Sequence, residues 1–596
     1  MNKKIKRLKN FKTKPNHMKS KLITLLTFCC ISFGYAQTTN PPVVVTGTMG
    51  TSYEYYGLST NPAGWNGYNP RKPWNQVRFN FKPTITIGDF KLPFNFNFAT
   101  KPTNFIGPYA GIGALGNQNF WQFVTNPLNN FSINPKYKWA ELQLGTQYLN
   151  YSELSTGDVG VFGVGFDLRP KGYLIKFFTG TSQQGINSSI APPVIGAYKR
   201  TNWMAQIGKE KEGKYKFALS MASGDDKFSS VTTPLAVAPQ SGIVFSALTN
   251  LFFKKGYYVQ VEGAQSLNST NTTLGGSPPS GVGSFKPFFT SDASTTKDYA
   301  ATAAFGKKSK NFDIGLKSKY LGAGFYTSGY PFQQSDRFDV TINTRFNVWK
   351  NGSNGFKTNV VASIGERVNN MSNSLTKANM LIANINCFTQ FNDHWSLNVS
   401  YNNFGFQSNG TSLYSIKNVS NDFGLNPTYT WSSTKMSNLL SLNYNYSKYD
   451  ERNVSSGATT SNNTNTIFLT YIPTFFKYTI APDFSLLYFT NKMPGFNINL
   501  ATFSAGATSP LFNKKVNFRG QLQYSFIKNN INTPNNNIVG SVNIDWKITK
   551  ELTWTNYFST NFYKYGDETG PLFPGANYLE TNYRTGLLYK FSTKKK

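Results

Sequence analysis

Residues 516–526 read Val516-Asn517-Phe518-Arg519-Gly520-Gln521-Leu522-Gln523-Tyr524-Ser525-Phe526. Val516, Phe518, Leu522, Tyr524 and Phe526 fall on one parity, while Asn517, Arg519, Gln521, Gln523 and Ser525 fall on the other. Successive side chains of an extended chain point to opposite faces, so this is a strand with one apolar and one wet face. Bulky aromatics on one face and Asn, Gln and Arg on the other suit a transmembrane barrel, with lipid outside and water or a polar plug inside. A soluble sandwich strand alternates as well, so repetition along the chain has to decide.

The repetition is present. Phe94, Phe96 and Phe98 alternate with Asn95 and Asn97, and Trp395, Leu397, Val399 and Tyr401 alternate with Ser396, Asn398 and Ser400. The same holds for Leu440–Tyr446 and for Val542–Ile548. Tight Gly, Asn, Asp and Lys clusters separate the runs, as short hairpin turns require. They lie near Gly88-Asp89, Pro135-Lys136, Pro170–Gly172, Glu212-Gly213, Lys255-Gly256, Lys308–Asn311, Asn351-Gly352, Asn392-Asp393, Ser432-Ser433, Phe476-Lys477, Asn513-Lys514 and Thr549-Lys550. With a first strand at Val43–Tyr56 and a last at Tyr583–Phe591, they predict a single large antiparallel barrel of about 26 strands. An even number puts both termini on the side of the short turns, the periplasm in single-chain bacterial barrels. The Ser-, Thr- and Gly-rich stretches Ser266–Ser294 and Ser455–Asn465 read as long, mobile outward loops, and the poorly alternating Ile106–Gln118 as a loop folded into the lumen.

Composition agrees. Aromatics make up 16% of the 596 residues, charged residues only 15%, and mean hydropathy is −0.38. Soluble chains carry about 25% charged residues. No run reaches the length of a membrane helix. Lys19 and Lys21 precede an apolar stretch from Leu22 to Phe33, and Gly34-Tyr35-Ala36 ends it with small residues. This reads as a signal peptide over residues 1–36, with Met18 a plausible true start, and residues 37–596 as the barrel domain. Signal peptidase cleavage fits better than lipid attachment at Cys29 or Cys30. Removal takes away nine basic residues and no acid, lowering the formal charge from +33 to +24. It also leaves Cys387 as the one mature cysteine, so an exported chain must close without an internal disulfide.

Chemistry is sparse. His394 is the one histidine of the mature chain and sits in a turn, Asn392-Asp393-His394, with no partner motif for nucleophilic catalysis. No phosphate-binding Gly loop appears and no cofactor is expected. One His and one Cys make no metal site, and Asp225-Asp226 and Gly566-Asp567-Glu568 lack the spacing of a calcium loop. Lysines and arginines are spread rather than clustered, which argues against nucleic acid. Arg78, Lys82, Arg345, Arg519 and Lys547 share the wet parity. In an open lumen they would favour anions; the alternative is pairing with carboxylates such as Asp545 or with an inward loop.

Several stretches resemble a family of large Bacteroidota outer-membrane barrels, with phrases similar to the barrel of the type IX secretion translocon SprA. They are Pro41–Thr48, Phe79–Thr86, Asn134–Gly145, Gly165–Pro170, Tyr257–Ser266 and Gly322–Asp336, the last ending Gly-Tyr-Pro-Phe-Gln-Gln-Ser-Asp. The resemblance implies phylum, compartment and barrel architecture, with a link to secretion or gliding. The run Gly586–Phe591 resembles the aromatic-ended last strand that barrel assembly machinery recognises, although Ser592–Lys596 follow it. The expected roles are an accessory or structural part of an envelope machine, or alternatively a passive porin with an anion-preferring lumen. In either role the expected partners are outer-membrane lipid and lipopolysaccharide, barrel assembly machinery and other envelope proteins.

Overall fold

The computed structural model describes residues 43–61, 75–99, 125, 130–157, 159–190, 193–194, 196–232, 235–283, 285, 287–349, 356–408, 415–454, 456–531, 533–566 and 577–593. The predicted signal peptide, Ile106–Gln118, Asn351-Gly352, Asp567-Glu568 and Lys594–Lys596 lie outside these residues.

Successive strands pair antiparallel with their sequence neighbours, beginning with Val43–Asn61 against Asn75–Ile87. The ring is closed by Val43–Asn61 against the last strand, Asn577–Ser592, in a register running from Thr46↔Ser592 to Asn61↔Asn577. Two short pieces, Phe131–Ile133 and Lys136–Tyr137, both lie between Phe90–Ala99 and Ala140–Tyr148 and share one place in the wall. The wall is therefore a closed 26-strand antiparallel barrel. Closure satisfies every strand edge, which is the condition for a sheet to sit in hydrocarbon. No helix among the described residues is long and apolar enough to cross a membrane.

The two parities separate as the opening stretch predicts. In Val516–Asn529, Leu522, Tyr524 and Phe526 are exposed on the outside, whereas Ser525 is buried on the inside. The outer face ends in an aromatic belt near the short turns, where Trp395 meets Tyr429, Tyr429 stacks on Trp431 and Trp546 lies against Trp554. Amphipathic rings at that level are the usual interface girdle of a membrane barrel. Both described chain ends lie at the short-turn rim, since Val43 pairs with Ile87 beside the turn at Gly88 and Ser592 pairs with Thr46.

Three sequence expectations need correction. Ser455–Asn465 is not a loop: its last eight residues lie in strand Ala458–Phe475, paired with Met436–Asn453 along its whole length. Here the strands run 18 residues, longer than the hydrocarbon requires, and the outer parity turns polar at Lys448 and Asp450. With water on both faces, a polar strand shows no alternation. Ser266–Ser294 is a loop only after Ser269, because Tyr257–Ser269 is a strand. The loop folds down over the outer wall, where Phe289 is buried with Ile243 and Leu267, and Phe288 meets Trp203 edge-on. The turn expected at Pro135-Lys136 falls at Lys138-Trp139, where Lys138 takes a φ of 48°. The pair Asn134-Pro135 instead interrupts the strand.

Candidate functional site

The lumen is the natural place for function, and its wall has two different sectors. From Gly160–Leu168 round to Phe312–Leu321 the inward parity carries a run of apolar residues between polar ones such as Gln206 and Glu262: Val161, Phe178, Met204, Ala222, Val244, Ala264, Ala300 and Leu321 are all buried. Against them lie two segments from the long-loop side. Leu149, Tyr151 and Leu154 come from the connection after Ala140–Tyr148, and Phe325 from the connection after Phe312–Leu321. Burying Leu154 completely contributes roughly 1.5–3 kcal/mol. The two segments join each other: Gly157 N–H donates to the Gly329 carbonyl at 2.7 Å, and the Thr327 hydroxyl to the Ser155 carbonyl at 2.6 Å. The wall makes room for them. A Cβ on Gly224 would stand 2.5 Å from Ser328 Cβ, so that strand tolerates no larger residue there.

Polar clasps fix the segments to the wall. Arg200 holds Asp226 through both carboxylate oxygens, at 2.7 and 2.8 Å, and donates to the Tyr326 hydroxyl at 3.0 Å. Glu153 receives Lys317 at 2.8 Å and Lys319 at 3.2 Å. Leu154 N–H donates to the buried Glu262 at 3.3 Å. Burial pushes the Tyr326 phenol up and does the same to Tyr151. Burial would also push the Glu153 carboxyl up, but the two lysines outweigh it and hold it below the ordinary range. Tyr326 therefore stays a neutral donor-acceptor while Glu153 stays an anion over the working pH range.

The five basic residues singled out by parity lie on the strand face opposite the exposed aromatics, and they divide into two groups. Arg78 reaches Glu54 at 3.0 Å, and Arg345 reaches Asp313 at 2.8 Å. Glu54 also faces Arg584 at 3.8 Å across the closing seam, where Tyr56 donates to Glu580 at 2.6 Å. Lys82, Arg519 and Lys547 have no ion pair among the described residues. Asp545, the carboxylate considered as a partner for these cations, instead accepts a hydrogen bond from Asn543 at 3.2 Å. These three lie outside the sector where the inward segments dock. Sequence reasoning found the cations but missed both inward segments. Apolar Leu149, Tyr151, Leu154 and Phe325 in otherwise polar connections, opposite a run of Gly, Ala and Ser on the inner parity, was the available signal.

His394 sits in its turn with Asn392 accepting from its backbone N–H at 2.9 Å, and its Nδ1 lies 2.8 Å from the Thr430 carbonyl. Cys387 is a half-buried free thiol. No group of three metal-ligating side chains occurs among the described residues, Asp225-Asp226 included.

The fold and wall define a large membrane β-barrel of the outer-membrane type. No family description matches the chain, and no curated protein does. Among solved structures it is similar to the translocation pore of the P pilus usher PapC, at 7% identity over 91% of this chain and 99% of that one, with a TM-score of 0.36. It is similar to the FrpB iron transporter of Neisseria meningitidis, at 10% identity over 92% and 82%, with a TM-score of 0.37. It also resembles Acinetobacter baumannii OccAB2, at 8% identity over 65% and 100%, with a TM-score of 0.29. The barrel assignment itself rests on the closed ring of strand pairs and its apolar exterior.

Proposed function

We propose that this chain is a channel of the outer membrane of a diderm bacterium, with an anion-preferring lumen and with its short turns and both termini in the periplasm. The observation that carries this reading is the free charge of Lys82, Arg519 and Lys547 on the inner parity, away from the sector occupied by the inward segments. The residues directly opposite them are neutral: Lys82 is paired with Thr48, Arg519 with Thr508 and Asn543, and Lys547 with Thr553, while Asp545 on the same face forms no ion pair with them among the described residues. Unpaired cations along a wet wall raise the local anion concentration and lower the barrier to anion entry. The outer wall meets lipid and lipopolysaccharide, and barrel assembly machinery inserts it. No catalytic step is assigned. Single-channel recordings test this directly: replacing Arg519 and Lys547 by Glu lowers or reverses the anion preference of a steady conductance. A silent purified barrel refutes it.

A second reading is an accessory component of an envelope machine, of the type IX secretion or gliding kind that the sequence resemblance suggests. Its support is the packing of the inward segments, a fixed internal surface where a passive pore needs only water. Crosslinked and gently solubilised cells then return the barrel with other envelope proteins, and recovery of the barrel alone removes this reading.

A further inference from the structure

The two rims differ in charge balance. Long-loop strand ends carry both signs, Asp226 and Asp450 being paired with Arg200 and Lys417, while the short turns carry Lys171, Lys214, Lys255, Lys435, Lys514 and Lys550 against fewer acids, Asp89, Glu212, Asp393 and Glu551. Their backbone gives a second, independent observation. Lys138, Lys171, Lys255 and Lys514 sit at φ of 48°, 51°, 65° and 65°, the left-handed region that Gly or Asn takes at less cost. On the long-loop rim the equivalent conformations at Asp336 and Asn370 are taken by side chains that suit them. Thr479, Phe512 and Asn513 on the short-turn rim take the same conformation, so turn geometry by itself does not call for lysine there. Lys138 is answered by Asp89 at 3.5 Å, but Lys171, Lys255 and Lys514 have no ion pair among the described residues.

The level of these charges is set by the aromatic belt. Lys209 lies 5.3 Å from the ring of Tyr173, and Lys307 lies 5.2 Å from that of Tyr257. Both tyrosines are half exposed on the outer face, next to the exposed Phe217 and Phe305. Rings at the boundary of the hydrocarbon and ammonium groups just beyond them match an acyl chain followed by a phosphate.

We propose that the short-turn rim is a binding surface for anionic glycerophospholipid headgroups of the leaflet it faces, with Lys171, Lys255 and Lys514 as its principal charges. The lipids form a preferred annulus around the turns.

The test uses the full chain, purified and placed in bilayers of phosphatidylcholine with a minor fraction of phosphatidylglycerol. Spin-labelled lipids report the preference of the first lipid shell. The wild type prefers phosphatidylglycerol, the preference falls with salt, and the triple variant Lys171→Asn, Lys255→Asn, Lys514→Asn loses at least about fivefold of it. Asn keeps the left-handed turns, so that barrel folds. The matching triple Arg variant retains the preference, because only charge is conserved. The proposal is overturned if the Asn variant binds phosphatidylglycerol as the wild type does, or if the Arg variant loses the preference. A preference for lipid A over phosphatidylglycerol that depends on the same lysines overturns it too, because the phosphates would then come from the other leaflet.

Discussion

Replacing Leu154 by Ala should loosen the inward segments while leaving the barrel wall intact. Leu154 is 0% exposed, in a cluster with Val161, Phe178, Met204 and Ala222. Truncation of such a leucine costs about 2–5 kcal/mol, the transfer term plus the cavity left behind. The segment from Leu149 to Gly157 has three buried apolar anchors, Leu149, Tyr151 and Leu154, so the loss is a large share of what holds it. At ~3 kcal/mol the released population rises roughly a hundredfold. The wall does not depend on this contact, because its strands are paired edge to edge around the full ring. Three measurements separate the effects. Protease should cut within Leu149–Gly157 in the variant and spare the wild type, and single-channel current should become noisier. The temperature at which the barrel loses its folded mobility in detergent gels should stay nearly constant. If the segment resists protease equally in both proteins, or if the wall and segment melt together, the separation of plug from wall is refuted.

Acid should act on the same segment through Glu153. Its carboxyl titrates below the ordinary value of about 4.5, so the clasp to Lys317 and Lys319 is fully present above that value and is lost as pH falls through the lower one. Channel noise should therefore rise only as pH falls below about 4.5, and Glu153→Gln should show the added noise at neutral pH with no acid step. At the closing seam, Glu54→Gln removes a carboxylate shared by two half-exposed arginines and should lower heat resistance by no more than about 1 kcal/mol, read by the same gel assay. His394→Ala should leave conductance and selectivity unchanged, since its ring meets the Thr430 carbonyl of the adjacent strand and the Tyr429 ring at the short-turn rim. Loss of function there would restore an enzymatic reading.

The wall was legible in the sequence because its two solvents differ: wherever one face meets lipid, as in Val516–Asn529, period-2 contrast is strong and the turns stand out. Contrast vanishes where both faces meet water, which is why the polar start of Ala458–Phe475 read as a loop. It vanishes again where both faces are apolar. The inner parity of Lys199–Lys211 and Ser241–Phe252 carries Met204 and Val244, which alternation alone cannot distinguish from a lipid face. The inner cations were legible by parity, but their pairing was not. Register decides that Arg345 lies opposite Asp313, and that Arg519 lies opposite Asn543 and Thr508. Asp313 and Arg345, like Arg519 and Asn543, are joined through long-loop connections, where no tight turn fixes the register.

The most direct test returns to Val516–Asn529. In a Cys387→Ser background, single cysteines at Gln521 and Gln523 should react with a charged, water-soluble thiol reagent in intact membranes. Cysteines at Leu522, Tyr524 and Phe526 should be silent to it and react with a lipid-soluble one. Alternation of this kind along the strand is the result expected of a lipid-facing outer wall around a wet lumen. Equal labelling of both parities, or the reverse alternation, would contradict it.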